Sequence, residues 1–218
     1  MRTLKLIVVW FARGAIAITV LLYAVLIRPW HMRWGASSEE VQMRLEGDRM
    51  IARGAIVSTR ALDIDAPPDE VWRWMLQLGQ GRGGFYSYEW LENLFAADMR
   101  NAELLEPRLL KLDVGDSISF QADGPATVVT LVEPERALVL GDGWTLALRR
   151  IDEGRTRLIV RYPFDTHGRS LDALYYYTVF EPAHFVMESG MMLGIRERAE
   201  RSFAQSRRAS GLAAGVRP

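Results

Sequence analysis

The sequence predicts an α+β fold: an antiparallel sheet of short strands with a long carboxy-terminal helix across it, preceded by an amino-terminal transmembrane helix. Three observations predict it. Five short apolar runs between residues 112 and 165 are separated by turn signals, among them Asp-Gly and Glu-Gly pairs. Such pairs between apolar runs mark hairpins and argue against βαβ units. A long helical pattern begins at Glu181-Pro182, with proline in the first turn, where it is tolerated. Residues 6–27 are apolar apart from Arg13 and Thr19, and roughly 20 apolar residues are enough to cross a bilayer as a helix.

Taken in order, Leu6–Ile27 is the expected membrane anchor, a single pass within residues 1–34. Arg13 is costly in mid-membrane, but its position in the first half lets it snorkel toward the amino-terminal side. Trp10, Tyr23 and Trp30 suit the interfaces. A signal peptide is disfavoured, because Arg28 and Arg33 follow the apolar run before any small-residue cleavage site. Positive charge flanks both ends and does not set the orientation; the cytoplasmic side is the working expectation for the domain. Residues 35–54 form a juncture, a tether with a short helix capped by Ser37 or Ser38 ahead of Glu39 and Glu40.

Residues 57–65 read as a strand. Ile56, Ser58, Arg60, Leu62 and Ile64 share one face, and Val57, Thr59, Ala61 and Asp63 the other. The run APPDEVWRWMLQLGQ (66–80) then starts a helix. Pro67 and Pro68 end the strand, Asp69 and Glu70 favour the positive helix terminus, and Gly79 closes the run. Strand, "APPDEVW" and helix together resemble the START/polyketide-cyclase superfamily, the helix-grip proteins, over roughly residues 55–203. The resemblance implies a helix-grip domain: a curved antiparallel sheet, a carboxy-terminal helix across it and a cavity between them. Relatives bind lipids, sterols, hormones and polyketides, so a small hydrophobic ligand is implied, such as a lipid, isoprenoid or polyketide-like molecule. The domain is assigned to residues 55–205.

Residues 81–107 hold the densest aromatic cluster, Phe85, Tyr86, Tyr88 and Trp90, on a glycine-rich turn and a short helix. This is either core packing or a cavity wall. The segment GFYSYEWLENL (84–94) also resembles one found in a membrane-associated branch of that superfamily. In the last strand of the meander, Leu158, Val160, Tyr162 and Phe164 share a face. The opposite face carries Arg157, Ile159 and Arg161 and is expected to be solvated, with Arg161 binding an acidic ligand as the alternative. Residues 166–180 connect to the closing helix. There Met187, Met191 and Met192 make a wide apolar arc, and Gly190 and Gly194 allow another backbone, or a ligand, to approach closely. The tail, 206–218, lacks periodicity and is expected to be disordered.

Composition excludes several functions. The 218 residues hold 27 basic and 27 acidic side chains, so the basic excess of a nucleic-acid binder is missing. There is no cysteine, hence no disulfide, thiolate catalysis or cysteine zinc site, and His31, His167 and His184 are the only histidines. No nucleophile elbow, HExxH or dinucleotide fingerprint occurs; no metal and no cofactor is expected. The candidate ligand-binding residues are Tyr86, Tyr88, Trp90, Asn93, His184, Met187 and Met191. His184 and Glu188 are one helical turn apart, and with Tyr86 or Tyr88 they offer an acid–base group. Glu89 and Glu92 are read as solvated. Three functions follow: binding of a small hydrophobic molecule, a cyclase or dehydratase using the same cavity, or a non-catalytic interaction protein with a filled core.

Overall fold

The computed structural model describes residues 10–11, 13–15, 18–94, 96–164 and 175–215. Leu6 to Val9, Ala12, Ile16 and Ala17 of the expected span lie outside the described residues. So do Phe95, residues 165–174 of the expected connection, His167 among them, and residues 216–218.

Helix α1 (Arg13–Met32) has 20 residues and a mean hydropathy of 1.6, long and apolar enough to cross a membrane. It runs past Arg28, where the apolar stretch in the sequence stops. Its turn Tyr23–Ile27 is π-helical, closed by the Arg28 N–H donating to the Tyr23 carbonyl. Pro29 is the reason: proline has no N–H and crowds the carbonyl one turn back, and a wider turn re-satisfies the freed groups. Helix α2 (Ser38–Gln42) carries a full capping box, Ser37 to the Glu40 N–H and Glu40 back to the Ser37 N–H.

Six strands form one antiparallel sheet. They are β1 (Ile56–Ile64), β2 (Ser117–Ser119), β3 (Ala126–Glu133), β4 (Ala137–Leu140), β5 (Trp144–Arg150) and β6 (Thr156–Phe164). Their spatial order is β1-β6-β5-β4-β3-β2. The first strand therefore closes against the last, with Ile56 opposite Phe164 and Ile64 opposite Thr156. Helices α3 (Pro68–Leu76) and α4 (Glu89–Leu94) lie between β1 and β2 in the chain. Helix α5 (Glu181–Gly215) follows a second π-helical turn, Tyr176–Phe180. Pro182 stands to that turn as Pro29 stands to the first. The helix packs against α3 and β1.

The inner core lies between the sheet and these helices. Leu138, Leu140, Leu146, Leu148, Leu158 and Val160 meet Trp72, Trp74 and Met75 of α3 and Met191, Met192, Ile195 and Ala199 of α5. The phase is that of the sequence: alternate residues of each strand point inward. A Cβ at Gly194 would fall 2.1 Å from the Tyr86 carbonyl oxygen, and one at Gly190 2.7 Å from Ser87 Oγ. The two glycines let the 86–88 loop lie directly on α5, so a backbone takes up the room they leave.

The outer face of the sheet is not solvated. Leu45, with Ala36 and Met43 beside it, packs on Ala61, Ala147 and Ile159. Around this patch Glu40 pairs with Arg157 at 2.7 Å, Glu46 with Arg149 at 2.8 Å and Asp48 with Arg161 at 2.7 Å. Arg161 also donates to the carbonyls of Glu40, Val41 and Met43. The arginine face expected to be solvated is thus the seat of the juncture. The acidic partner of Arg161 is Asp48 of the same chain. Helix α5 also continues through residues 206–215, where disorder is expected. Extending an existing helix needs no new nucleus.

Candidate functional site

The inward faces of β5 and β6 place Trp144 beside Tyr162, with ring centroids 5.8 Å apart, edge to face. Phe120, just past β2, stacks on Trp144 at 6.1 Å and on Phe85 at 5.5 Å. Across from them, Tyr176 and Phe180 come from the π-helical turn ahead of α5, 5.0 Å apart. Phe120, Trp144, Tyr162, Tyr176 and Phe180 line a cleft of about 530 Å³, with Met50, Ala52 and Ala55 from the end of the juncture at its edge. A cleft of this size matches the dimensions of small-molecule sites; Thr127 and Asp142 also line it.

Behind Trp144 and Tyr162 lies a buried ion pair. Arg60, on the inner face of β1, donates through Nη1 to the Glu188 carboxylate of α5. Both side chains are fully enclosed. The other Glu188 oxygen accepts from Trp144 Nε1 at 3.2 Å. Arg60 Nε donates to the His31 carbonyl at 2.8 Å, and its guanidinium stands over the Phe185 ring at 5.2 Å. Arg60 Nη2 makes no hydrogen bond among the described residues. His184 Nδ1 is 3.5 Å from Arg60 Nη1, and its ring centre is 4.0 Å from that of Tyr162. Burial, outweighing the Glu188 charge, pushes His184 down to about 4, so its imidazole is neutral at neutral pH. Burial, aided by Glu188, pushes the Tyr162 phenol up to about 12.

Chemically this is an aromatic-walled cleft, with Thr127 and Asp142 on its lining, that has a neutral base, a phenol donor and a self-cancelling charge pair at its back. Among the described residues, no group of three His, Cys, Asp or Glu side chains is placed to hold a metal ion.

The candidate residues from the sequence do not form one group. His184 belongs to the cluster just described, next to Tyr162 and away from Tyr86. Tyr86 is buried against Trp74, donates to the Trp74 carbonyl at 3.2 Å and accepts from Gln77 Nε2 at 3.1 Å. Tyr88 and Trp90 are exposed, Trp90 at 71%. Asn93 clamps the Met99 backbone through both its amide atoms. Met187 reaches Ser87, while Met191 is inner core. His184 and Glu188 share a face as expected, yet stand 3.9 Å apart, because both lean toward Arg60. Glu92, read as solvated, is buried, and its Oε2 has no partner among the described residues. Arg60, Trp144 and Tyr162 belong to no sequence motif. The signal was present: an arginine in phase with Ile56, Leu62 and Ile64, and a glutamate inside the apolar arc of the closing helix.

The fold is a helix grip. No protein-family model matches the chain, and no curated protein matches its sequence. Solved structures similar to it include the Aha1 dimer of Colwellia psychrerythraea, at 13% identity and a TM-score of 0.36, covering 66% of this chain and 96% of that one. A polyketide-cyclase-like protein of Corynebacterium glutamicum is similar at 15% identity and a TM-score of 0.32, covering 68% and 89%. A conserved protein of Enterococcus faecalis is similar at 14% identity and a TM-score of 0.31, covering 69% and 86%.

Proposed function

We propose that this chain is a membrane-anchored helix-grip domain that takes a small hydrophobic molecule, such as a lipid, isoprenoid or polyketide-like compound, into the aromatic cleft. The observation that carries this reading is the cleft itself, with Phe120, Trp144, Tyr162, Tyr176 and Phe180 around about 530 Å³. Rigid aromatic walls give a large apolar contact at little entropic cost. The α1 helix supplies the membrane attachment, and the ligand is the only partner required. Native mass spectrometry of the full chain, released from membranes and followed by organic extraction, tests it. A defined hydrophobic adduct is expected in the natural chain and absent from Ala55→Trp, which fills the cleft without removing a core group. A clean apo mass after incubation with membrane lipids refutes the binding reading and favours an interaction protein.

A second reading is supported by the convergence of His184 and Glu188 on Tyr162 of the cleft wall. A neutral imidazole beside a phenol suits proton transfer in a cyclase or dehydratase. Under that reading His184→Gln abolishes turnover of the extracted ligand and leaves its binding intact.

A further inference from the structure

Helices α1 and α5 meet side by side at the edge of the domain, and their contacts run in step. Tyr23 donates to the Tyr177 carbonyl, Arg28 pairs with Glu181 at 2.9 Å, and the His31 ring lies 5.3 Å from that of Phe185. Residue numbers rise together along both helices, so the two are parallel. Their local sequences also match. Tyr23, Ile27, Arg28, Pro29 and His31 correspond to Tyr176, Phe180, Glu181, Pro182 and His184 at one constant offset. Each copy makes a π-helical turn ahead of its proline. The copies differ where difference is needed: at the one charged position, arginine faces glutamate.

The pairing turns the polar groups of both helices toward each other. Glu181 is wholly enclosed, held by both oxygens to Arg28 and approached by His31. The large apolar side chains exposed on α1 in this stretch are Leu22, Val25, Leu26, Ile27 and Trp30. Exposed on α5 and its leading turn up to Val186 are Tyr175, Thr178, Val179, Ala183 and Val186, with Tyr175, Val179 and Val186 at 60, 50 and 40%. In step with α1, Tyr175 and Val179 stand level with residues 21–26, inside the apolar span. A helix pair whose charges cancel inward, and whose outer surface is apolar apart from one threonine, suits a lipid environment.

We propose that the beginning of α5 is itself seated in the bilayer. Its Tyr175–Val186 face continues the lipid-facing surface of α1, so the domain is docked on the membrane and does not swing from a tether. This rests on the reading of α1 as a membrane anchor. About 16 Å of helix is involved at 1.5 Å per residue, enough to enter the headgroup and acyl boundary, which amphipathic helices penetrate by roughly 5–10 Å.

The absence of cysteine makes the test direct. Single variants Val179→Cys, Tyr175→Cys, Val25→Cys and Glu197→Cys are made in the full chain, spin-labelled and reconstituted in phosphatidylcholine–phosphatidylglycerol vesicles. Collision rates with oxygen and with a water-soluble nickel chelate are then compared, and a circular-dichroism melt confirms folding of each. The expected result is an oxygen-to-nickel ratio at positions 179 and 175 several-fold above that at 197 and close to that at 25. A lipid-like reading at 25 with water-like readings at 179 and 175 overturns the docking proposal and spares the anchor. A water-like reading at 25 overturns the anchor, and the proposal with it.

Discussion

Replacing Glu188 by leucine should cost more than any single apolar substitution around it, and more than replacing its partner. Arg60 and Glu188 are both fully enclosed, and each is the counter-ion of the other. Removing one member of a buried pair costs about 3–5 kcal/mol, because the survivor is left charged without compensation. The two survivors are not equivalent. A carboxylate stripped of its cation can be neutralised by acid, whereas a guanidinium keeps its proton at any usable pH. The double variant Arg60→Leu/Glu188→Leu carries no orphaned charge. It loses mainly the Trp144 indole bond and the cap on the His31 carbonyl, each worth about 1–3 kcal/mol when left unmet. It should be more stable than Glu188→Leu alone. The assays are urea and thermal unfolding of the full chain in micelles, followed by tryptophan fluorescence. Melting temperatures should drop by about 6–20 °C for the single variants, at 2–4 °C per kcal/mol for a chain of this size. Single variants within about 1 kcal/mol of the natural chain would refute the reasoning, as would a double variant equal to their sum.

Three further outcomes are expected. Burial, reinforced by Glu89, pushes Glu92 up to about 7. Its protonated form thus stabilises the fold below the ordinary carboxylate range, and that stability is lost as pH rises to about 7. Glu92→Gln should flatten this slope and stabilise the chain at pH 8 by about 1–3 kcal/mol in denaturant titrations at several pH values. Gly194→Ala places a methyl group 2.1 Å from the Tyr86 carbonyl oxygen and should cost about 2–4 kcal/mol in the same melts; an unchanged midpoint would mean the 86–88 loop moves freely. Arg161→Lys keeps the charge but cannot reach Asp48 and three carbonyls at once. It should speed amide exchange across residues 40–50 well beyond any change in β5.

The sheet was legible because its signals are local. Turn pairs such as Asp142-Gly143 and Glu153-Gly154 fall at β4–β5 and β5–β6, and period-two alternation in β6 gives the inward face directly. The closing helix was legible from Glu181-Pro182 for the same reason. The site was not, because its members are distant in the chain and individually ordinary. Arg60, Trp144, Tyr162 and Glu188 each admit a bland reading; only the β1–β6 pairing and the crossing of α5 bring them together. Aromatic density drew attention to Tyr86 and Tyr88; they line a separate groove of about 500 Å³ where the 86–88 loop lies on Gly190 and Gly194. The covered outer face was illegible for a related reason. An arginine stripe on a strand looks solvated until Glu40, Glu46 and Asp48 fold back over it.

The segment ahead of β1 is bound to both faces of the domain, and this bears on how the domain can be handled alone. Removing residues 1–36 takes away Arg28, His31 and Trp34. Glu181, wholly buried, loses its cation, and Arg60 loses the carbonyl that accepts from Nε. Residues 40–48 would stay on the outer face, because their partners Arg149, Arg157 and Arg161 lie within the sheet. The truncated chain, 37–218, should therefore fold its sheet but be weaker than the full chain, since it loses the Arg28–Glu181 pair and the acceptor of Arg60 Nε. Glu181→Gln in the truncated chain should be close to neutral, because without α1 the carboxylate is open to water and needs no cation. The same substitution in the full chain should be destabilising, because it leaves Arg28 unpaired. That difference, read by urea unfolding of all four proteins, would show that α1 completes the fold. Equal effects of Glu181→Gln in both lengths would show that it only tethers it.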